Sequence, residues 1–207
     1  MSTYTYDWTT PILPNLKRIK TMTKRVDDIL EIGSFEGRTT CWFLENLLSA
    51  SGTITCVDPF LLLDDDYLSL GSVDNTLEER KQRFISNTSQ SKTRDQNIQL
   101  IEKRSYLSLA DLIQEKYLFD FIYIDGNHSS ESIITDSVMA FGLLKKSGIM
   151  LLDDYLLDNS ENWFYQNKSK ESMTSAKQAI DSFLELFRNS VVQIPLPNKY
   201  QIAVIKK

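Results

Sequence analysis

Along the chain, short runs of apolar, β-branched and aromatic residues alternate with longer stretches whose apolar positions recur every three or four residues. The runs predict strands over Asp28–Ile32, Thr53–Val57, Ile98–Glu102, Phe119–Ile124, Ile149–Leu152, Val191–Pro195 and Tyr200–Ile205. The stretches between them predict helices at about 38–50, 76–88, 106–116, 130–145 and 174–189. Ile133, Ile134, Val138, Phe141 and Leu144 recur at helical spacing in the fourth helix, as do Ala176, Ala179, Ile180, Phe183, Leu184 and Phe187 in the last. Four strands, DILEI, ITCV, FIYI and IMLL, are almost unbroken apolar runs. A sheet with one wet face would alternate instead, so helices are expected on both faces. Strand–helix alternation of this kind implies an α/β, doubly wound parallel sheet with right-handed crossovers.

The last two strands break the rhythm. Only about Leu196–Lys199 separates them, too short for a parallel crossover, so they are expected to pair antiparallel. Pro195 and Pro197 suit a strand end and a turn. Residues 1–27 read as an irregular arm with a short helix, and 28–207 as one α/β domain without repeats or low-complexity tracts. The long connections, 62–75 and 155–172, follow strand C-termini, where sheets of this kind hold ligands.

Composition narrows the function classes. The 207 residues carry 23 Lys and Arg against 28 Asp and Glu, a net charge of −5, which disfavours a nucleic-acid partner. The basic cluster Lys17, Arg18, Lys20, Lys24 and Arg25 reads as a solvated helix face. Cys41 and Cys56 lie in apolar stretches without zinc-site or disulfide spacing, and read as reduced core residues. No apolar run approaches the roughly 18–20 residues that span a bilayer. The opening MSTYTYDWTT lacks the basic and apolar regions of a signal peptide. A cytoplasmic protein with no membrane partner is the expectation.

The first strand runs into Gly33-Ser34-Phe35-Glu36-Gly37, a tight turn that lets a ligand approach the backbone. Phe35 stands where the dinucleotide fingerprint requires its central glycine, which disfavours NAD. Glu31 and Glu36 flank the loop, and carboxylates repel a diphosphate but suit a cationic or hydroxylated ligand. Asp58, at the end of the second strand, is placed to accept ribose hydroxyls; an ordinary turn is its alternative when taken singly, and the loop and the acid together strengthen the ligand reading.

Neighbouring parallel strands open their C-termini onto one crevice, so Asp125, after FIYI, and Asp153 and Asp154, after IMLL, are expected to converge. Unpaired, they would repel one another, and a bound cation removes the conflict. Oxygen donors without cysteine favour magnesium, then manganese or calcium, over zinc. The same acids also suit helix caps and turns, and Asp64-Asp65-Asp66 reads as a solvated turn. His128 is the sole histidine. Imidazole, with an unperturbed pKa of about 6.5, suits proton removal near neutrality, and a structural role is its alternative.

In this order and at these strand ends, EIGSFEGRTT, VDPF, FIYIDGNHS and IMLLDDY resemble the class I S-adenosylmethionine-dependent methyltransferases. Within them the chain is most similar to the small metal-dependent family of macrolide-sugar and other glycan O-methyltransferases, known from bacteria and large DNA viruses. The likeness covers about residues 28–205, and TYDW resembles the family's N-terminal arm. It implies a Rossmann-like seven-stranded sheet of order 3-2-1-4-5-7-6, mostly parallel with an antiparallel final strand.

By position, the resemblance places Glu31, Gly33, Ser34 and Gly37 on the methionine and ribose side of the S-adenosylmethionine pocket. Thr39 falls near the methionine carboxylate, Asp58 at the ribose, Ser105 near the adenine, and Asp125 borders the cofactor. Ser105 also suits a helix N-cap. Asp125, Asp153 and Asp154 match the family's metal carboxylates, for Mg²⁺ or Mn²⁺, and His128 its proposed general base, where catechol-type enzymes carry lysine. Many relatives have Asp-Gly-Asp where this chain has Asp125-Gly126-Asn127. Asn127 can hydrogen-bond a substrate but cannot take its proton, which leaves His128 or metal-polarised water. Tyr155 and Trp163 fall on the acceptor side, and Trp163-Phe164-Tyr165 offers a face for a sugar or, equally, ordinary core packing.

The implied chemistry is in-line attack of an acceptor hydroxyl on the sulfonium methyl, with the cation as Lewis acid. That logic favours adjacent hydroxyls, as on a sugar or glycan such as a rhamnoside. A catechol or phenol acceptor, metal-independent transfer and a non-catalytic nucleotide-binding module are the competing readings. The family's self-association adds a homo-oligomer to the expectations, and a virus-encoded chain would work in the host cytoplasm.

Overall fold

The computed structural model describes residues 2–60, 77–93, 95–156 and 176–207. The elements run α1 (Thr9–Met22), β1 (Asp28–Ile32), α2 (Arg38–Asn46), β2 (Thr53–Val57), α3 (Leu77–Ser91), β3 (Asn97–Ile101) and α4 (Ser105–Gln114). They continue with β4 (Phe119–Ile124), α5 (Ser130–Leu143), β5 (Leu144–Leu152), α6 (Ala176–Leu186), β6 (Val191–Ile194) and β7 (Ile202–Lys206). The strands form one sheet of order β3-β2-β1-β4-β5-β7-β6. β1 to β5 are parallel, and β7 pairs antiparallel with both β5 and β6. This is the expected α/β, Rossmann-like architecture.

The unbroken apolar runs have the cause expected of them. Leu30, Ile32, Ile122, Ile124, Met150 and Leu152 point into a core under α4, α5 and α6. Their alternates Ile29, Phe121, Tyr123, Ile149 and Leu151 point into a second core under α1, α2 and α3. Phe43 of α2 is fully buried and meets the rings of Phe121 and Tyr123 edge-on, 5.4 and 5.5 Å between centroids. Cys41 and Cys56 are buried free thiols, as expected.

Two elements depart from the pattern. β5 begins five residues before the expected Ile149, because Lys145 is anchored rather than helical. Its ammonium pairs with Asp28 at 2.7 Å and Asp120 at 2.9 Å at the N-terminal edge of the sheet. α1 spans 14 residues despite Pro14 in its interior. Pro14 removes one internal hydrogen bond, but Ile12, Leu16 and Ile19 repeat on one face and are buried against the sheet. Lys17, Arg18, Lys20, Lys24 and Arg25 are exposed, so the basic cluster is a solvated face.

α1 also carries the buried Asn15, which ties it to the far edge of the sheet. Its amide donates to Asn198 Oδ1 at 2.6 Å and to Gln201 Oε1 at 3.0 Å, and its carbonyl oxygen accepts from the Asn198 N–H at 3.0 Å. Phe43→Ala, which leaves a ring-sized void between α2 and β4, is expected to lower unfolding free energy by about 3–5 kcal/mol in urea titration.

Candidate active site

The parallel ladder runs one residue past the strand ends. Gly33 N–H donates to Val57 O at 2.9 Å, Asp125 N–H to Ile32 O at 2.8 Å, and Asp153 N–H to Ile124 O at 2.9 Å. The turns after β1, β4 and β5 are thereby held side by side. At Gly33, φ is +83°, and a Cβ would lie 1.8 Å from the Asp125 carbonyl oxygen, so only glycine fits. Gly37 (φ +78°) starts α2, and a Cβ there would meet Thr88 and Phe84.

Beneath this loop lies Glu31, fully buried. Its Oε2 accepts from Ser34 Oγ at 2.9 Å, from Thr40 Oγ1, and from Cys56 Sγ at 3.5 Å. Its Oε1 has no partner among the described residues. Burial pushes the carboxyl up to about 7, against the opposing pull of the two hydroxyls.

Asp58 is half-buried and braces the loop: Oδ2 accepts from the N–H groups of Ser34 (3.0 Å) and Phe35 (2.8 Å), and Oδ1 from Phe60 N–H (2.8 Å). Burial raises its pKa, and these amides and the nearby Arg80 charge counter it.

Glu36 differs from the expectation that both glutamates flank the ligand. It is buried and turned outward, accepting from Thr5 N–H and Oγ1, each at 2.6 Å, and from Arg83 Nε at 2.6 Å. The N-terminal arm is thus clasped onto the glycine loop. Tyr6 stacks on Trp8, Trp8 leans on Phe35 with 4.9 Å between centroids, and Arg80 lies 4.6 Å over the Phe35 ring. Thr39, expected near the methionine carboxylate, shares a 2.9 Å hydroxyl contact with Thr9. Ser105 is the first residue of α4, and its hydroxyl bonds the buried Asp136, whose carboxyl burial pushes up to about 6.

Tyr123 is the anchor of the acidic cluster. Strand alternation sends its side chain to the same side as Glu31, its partner across β1 and β4. Its hydroxyl contacts Asp125 Oδ2 at 3.1 Å and Asp153 Oδ2. Asp153 also accepts from Gln201 Nε2 at 2.9 Å and from Asp154 N–H at 2.8 Å. Asp154 takes a left-handed backbone conformation (φ +63°) and meets His128 Nε2 through Oδ2 at 3.1 Å. One donor atom each from Asp125, His128 and Asp154 lie within 4.8 Å of one another.

No lysine or arginine among the described residues pairs with these three aspartates. Burial, and then the charges of Asp153 and Asp154, raise Asp125 well above the usual carboxylate range. Burial, and then Asp154, push Asp153 up to about 7.

The structure thus brings Asp125, Asp153, Asp154 and His128 together beside Gly33. Asn127 shapes the turn, its Oδ1 accepting from Ser129 N–H at 2.8 Å, while Ser129 caps α5. Tyr155 sends its hydroxyl 2.8 Å to Asp181 on α6, and its ring lies under Lys177. Trp163, Phe164 and Tyr165, and the run Asp64–Asp66, lie outside the described residues. Sequence reasoning passed over Tyr123, Thr40 and Gln201. Tyr123 was findable, since it lies two residues before Asp125 on a strand and so faces the same way.

The chain matches a methyltransferase-domain family over residues 30–155. No curated protein matches it in sequence. Among solved structures it is similar to the Bacillus cereus O-methyltransferase in complex with S-adenosylhomocysteine, at 18% identity and TM-score 0.61, over 99% of this chain and 84% of that one. A Streptomyces achromogenes O-methyltransferase of tomaymycin synthesis, in complex with S-adenosylmethionine, is similar at 16% identity and TM-score 0.58, over 98% and 82% of the two chains. A TDP-rhamnose 3′-O-methyltransferase of calicheamicin biosynthesis is similar at 15% identity and TM-score 0.56, over 96% and 79%. Identities this low speak for the shared fold alone. The family match does more: it runs unbroken from Leu30 through the glycine loop and the aspartate cluster to Tyr155, over half of the sequence, and the chain therefore belongs to the methyltransferase-domain family.

Proposed function

We propose that this chain is an S-adenosylmethionine-dependent O-methyltransferase that methylates a hydroxyl of a small-molecule or sugar acceptor with the help of a divalent cation. The observation that carries the reading is the direct backbone packing of Gly33 on Asp125. It sets the loop that would hold a methyl donor against the acids that would hold a metal. The donor supplies an electrophilic methyl on a sulfonium, and the cation supplies Lewis acidity toward the acceptor oxygen.

The residues fit both groups. Glu31 keeps an unpartnered, buried carboxylate oxygen beneath the loop, the chemistry a cationic amino acid moiety requires. Asp125, Asp153 and Asp154 form an acidic set that no described lysine or arginine balances. His128 has two uses open to its neutral form, taking the acceptor proton or giving a lone pair to the cation. Holding donor and acceptor in line at adjoining strand ends supplies further rate enhancement by orientation. An acceptor with adjacent hydroxyls, as on a sugar, suits such a site, because a cation can hold two neighbouring oxygens at once.

Three outcomes test this reading. Methyl transfer from S-adenosylmethionine to rhamnosides should exceed transfer to catechols, and a chelator should lower it at least about a hundredfold until a divalent cation is returned. Unchanged turnover in chelator would remove the cation from the reaction.

Glu31 must be ionised to pair with a cationic ligand, and in the free chain it titrates at about 7. Calorimetric affinity for S-adenosylhomocysteine should therefore fall as pH drops below that value, toward about tenfold per unit. Glu31→Gln should bind more weakly and lose the slope; a variant keeping the wild-type slope would count against the assignment. Gly33→Ala, whose methyl collides with the Asp125 carbonyl, should abolish binding of the same ligand, and calorimetry showing wild-type affinity would contradict this geometry.

A further inference from the structure

One side of α4 faces inward and the other lies bare. Ser108, Leu109 and Leu112 are buried, and the Ser105 hydroxyl is tied to Asp136 of α5. On the outward side, Tyr106, Leu107 and Ile113 are each more than two-fifths exposed, with the small, exposed Ala110 among them. Lys116, in a left-handed conformation (φ +62°), then ends the helix. Its N–H donates to Ile113 O at 3.1 Å, and that of Tyr117 to Leu112 O at 3.0 Å. Tyr117 and Leu118 leave this turn exposed as well. Five of the twelve large apolar side chains exposed among the described residues thus fall within residues 106–118, while the other seven are scattered from Trp8 to Tyr200.

The charges beside this stripe run against the helix's own dipole. A helix is stabilised by acids near its N-terminus and bases near its C-terminus. α4 has no acid in its first turn and no base in its last; instead Arg104 caps its start and Glu115 its end. Lys103 pairs with Asp111 at 2.9 Å, whereas neither Arg104 nor Glu115 forms an ion pair among the described residues. Arg104 stands six positions before Ala110 and Glu115 five after it. Their separation is close to three helical turns, so both lie on the same flank of the apolar stripe.

We infer that α4 is a homodimer interface, in which the helix packs antiparallel on α4 of a second copy about a two-fold axis at Ala110. In that arrangement Tyr106 of each chain meets Ile113 of the other, and the two small Ala110 side chains let the backbones approach at the axis. Arg104 of each chain faces Glu115 of the other, so the ion pair forms twice. A two-fold contact must be self-complementary, and this stripe meets that condition in its apolar centre and on its charged flank. Charges that oppose the dipole of their own helix suit that of an antiparallel neighbour. The five apolar side chains offer on the order of 400 Å² per chain, the size of patch that marks an interaction site. With the polar rim, two copies reach the roughly 1,200 Å² of a small specific interface, which corresponds to a dissociation constant in the micromolar range. The inference goes beyond the reaction proposed above and does not depend on it.

Sedimentation of the full chain across a dilution series tests it. The wild-type chain should run at twice the chain mass at about 100 µM and dissociate on dilution. Ala110→Arg, at an exposed position that tolerates a good helix former, should leave the circular dichroism unchanged and the chain monomeric throughout. Arg104→Glu and Glu115→Arg should each weaken the dimer about tenfold, because like charges then meet at two places. Each of these swaps also corrects a charge against the helix dipole, so the urea midpoint of the monomer should not fall. The double swap Arg104→Glu with Glu115→Arg should restore the dimer to within about threefold of wild type.

A wild-type chain that stays monomeric at about 100 µM would overturn the inference. So would a dimer that Ala110→Arg leaves intact, which would place the contact on another face. A double swap as weak as the single ones would remove the antiparallel pairing. None of these results bears on methyl transfer, which the chelator and acceptor assays decide separately.

Discussion

The site depends on hydrogen bonds that carry the parallel ladder one residue beyond the strands. Gly33 to Val57, Asp125 to Ile32 and Asp153 to Ile124 are ordinary backbone bonds of 2.8–2.9 Å, yet they fix where three turns leave the sheet. A buried N–H left unpaired would be costly, so the turns follow the sheet's register. Gly33 then touches the Asp125 carbonyl, and loop and acids become neighbours without further contrivance.

This arrangement stores electrostatic tension. Glu31, Asp125 and Asp153 are all raised above the usual carboxylate range, with burial the largest cause in each case. An evolved core would ordinarily replace such groups or pair them with Lys or Arg. Here the cationic side chains are used elsewhere: Arg83 on Glu36, Arg38 on Asp7, and Lys145 at the opposite edge of the sheet. On the reading proposed above, a cationic ligand bound there would restore the stability that these buried carboxyls cost.

The N-terminal arm has a larger part than an appendage. Thr3 and Thr5 bond Asn87 and Glu36, Thr9 meets Thr39, and Tyr6 and Trp8 cover Phe35. Phe35 holds a positive φ of 47°, which costs energy in a non-glycine residue. The aromatic cover and the bonds that the Ser34 and Phe35 N–H groups donate to Asp58 offset that cost. Loop shape is therefore set jointly by residues near positions 5, 35, 58 and 80, and by no short motif alone.

Much of this was legible in the order of residues. Continuous apolar strands imply burial on two faces, and the helices that alternate with them imply the crossovers of a parallel sheet. The four residues between the last strands, too few for a crossover, forced the antiparallel ending. Acids placed directly after FIYI and IMLL had to share a crevice, since parallel strands end together. Direction and neighbourhood were not legible. Glu31 and Glu36 look equivalent in the string, yet one is sealed beneath the loop and the other is tied to Arg83 and Thr5. Asp153 and Asp154 are adjacent and chemically identical, and only a left-handed backbone at Asp154 sends one to His128 and leaves the other with Tyr123 and Gln201. Asn15 reaches across 186 positions to set that glutamine. Periodicity reports which face a side chain takes because that depends on local backbone geometry. Which partner it finds there depends on segments far apart in sequence, and only the folded packing decides it.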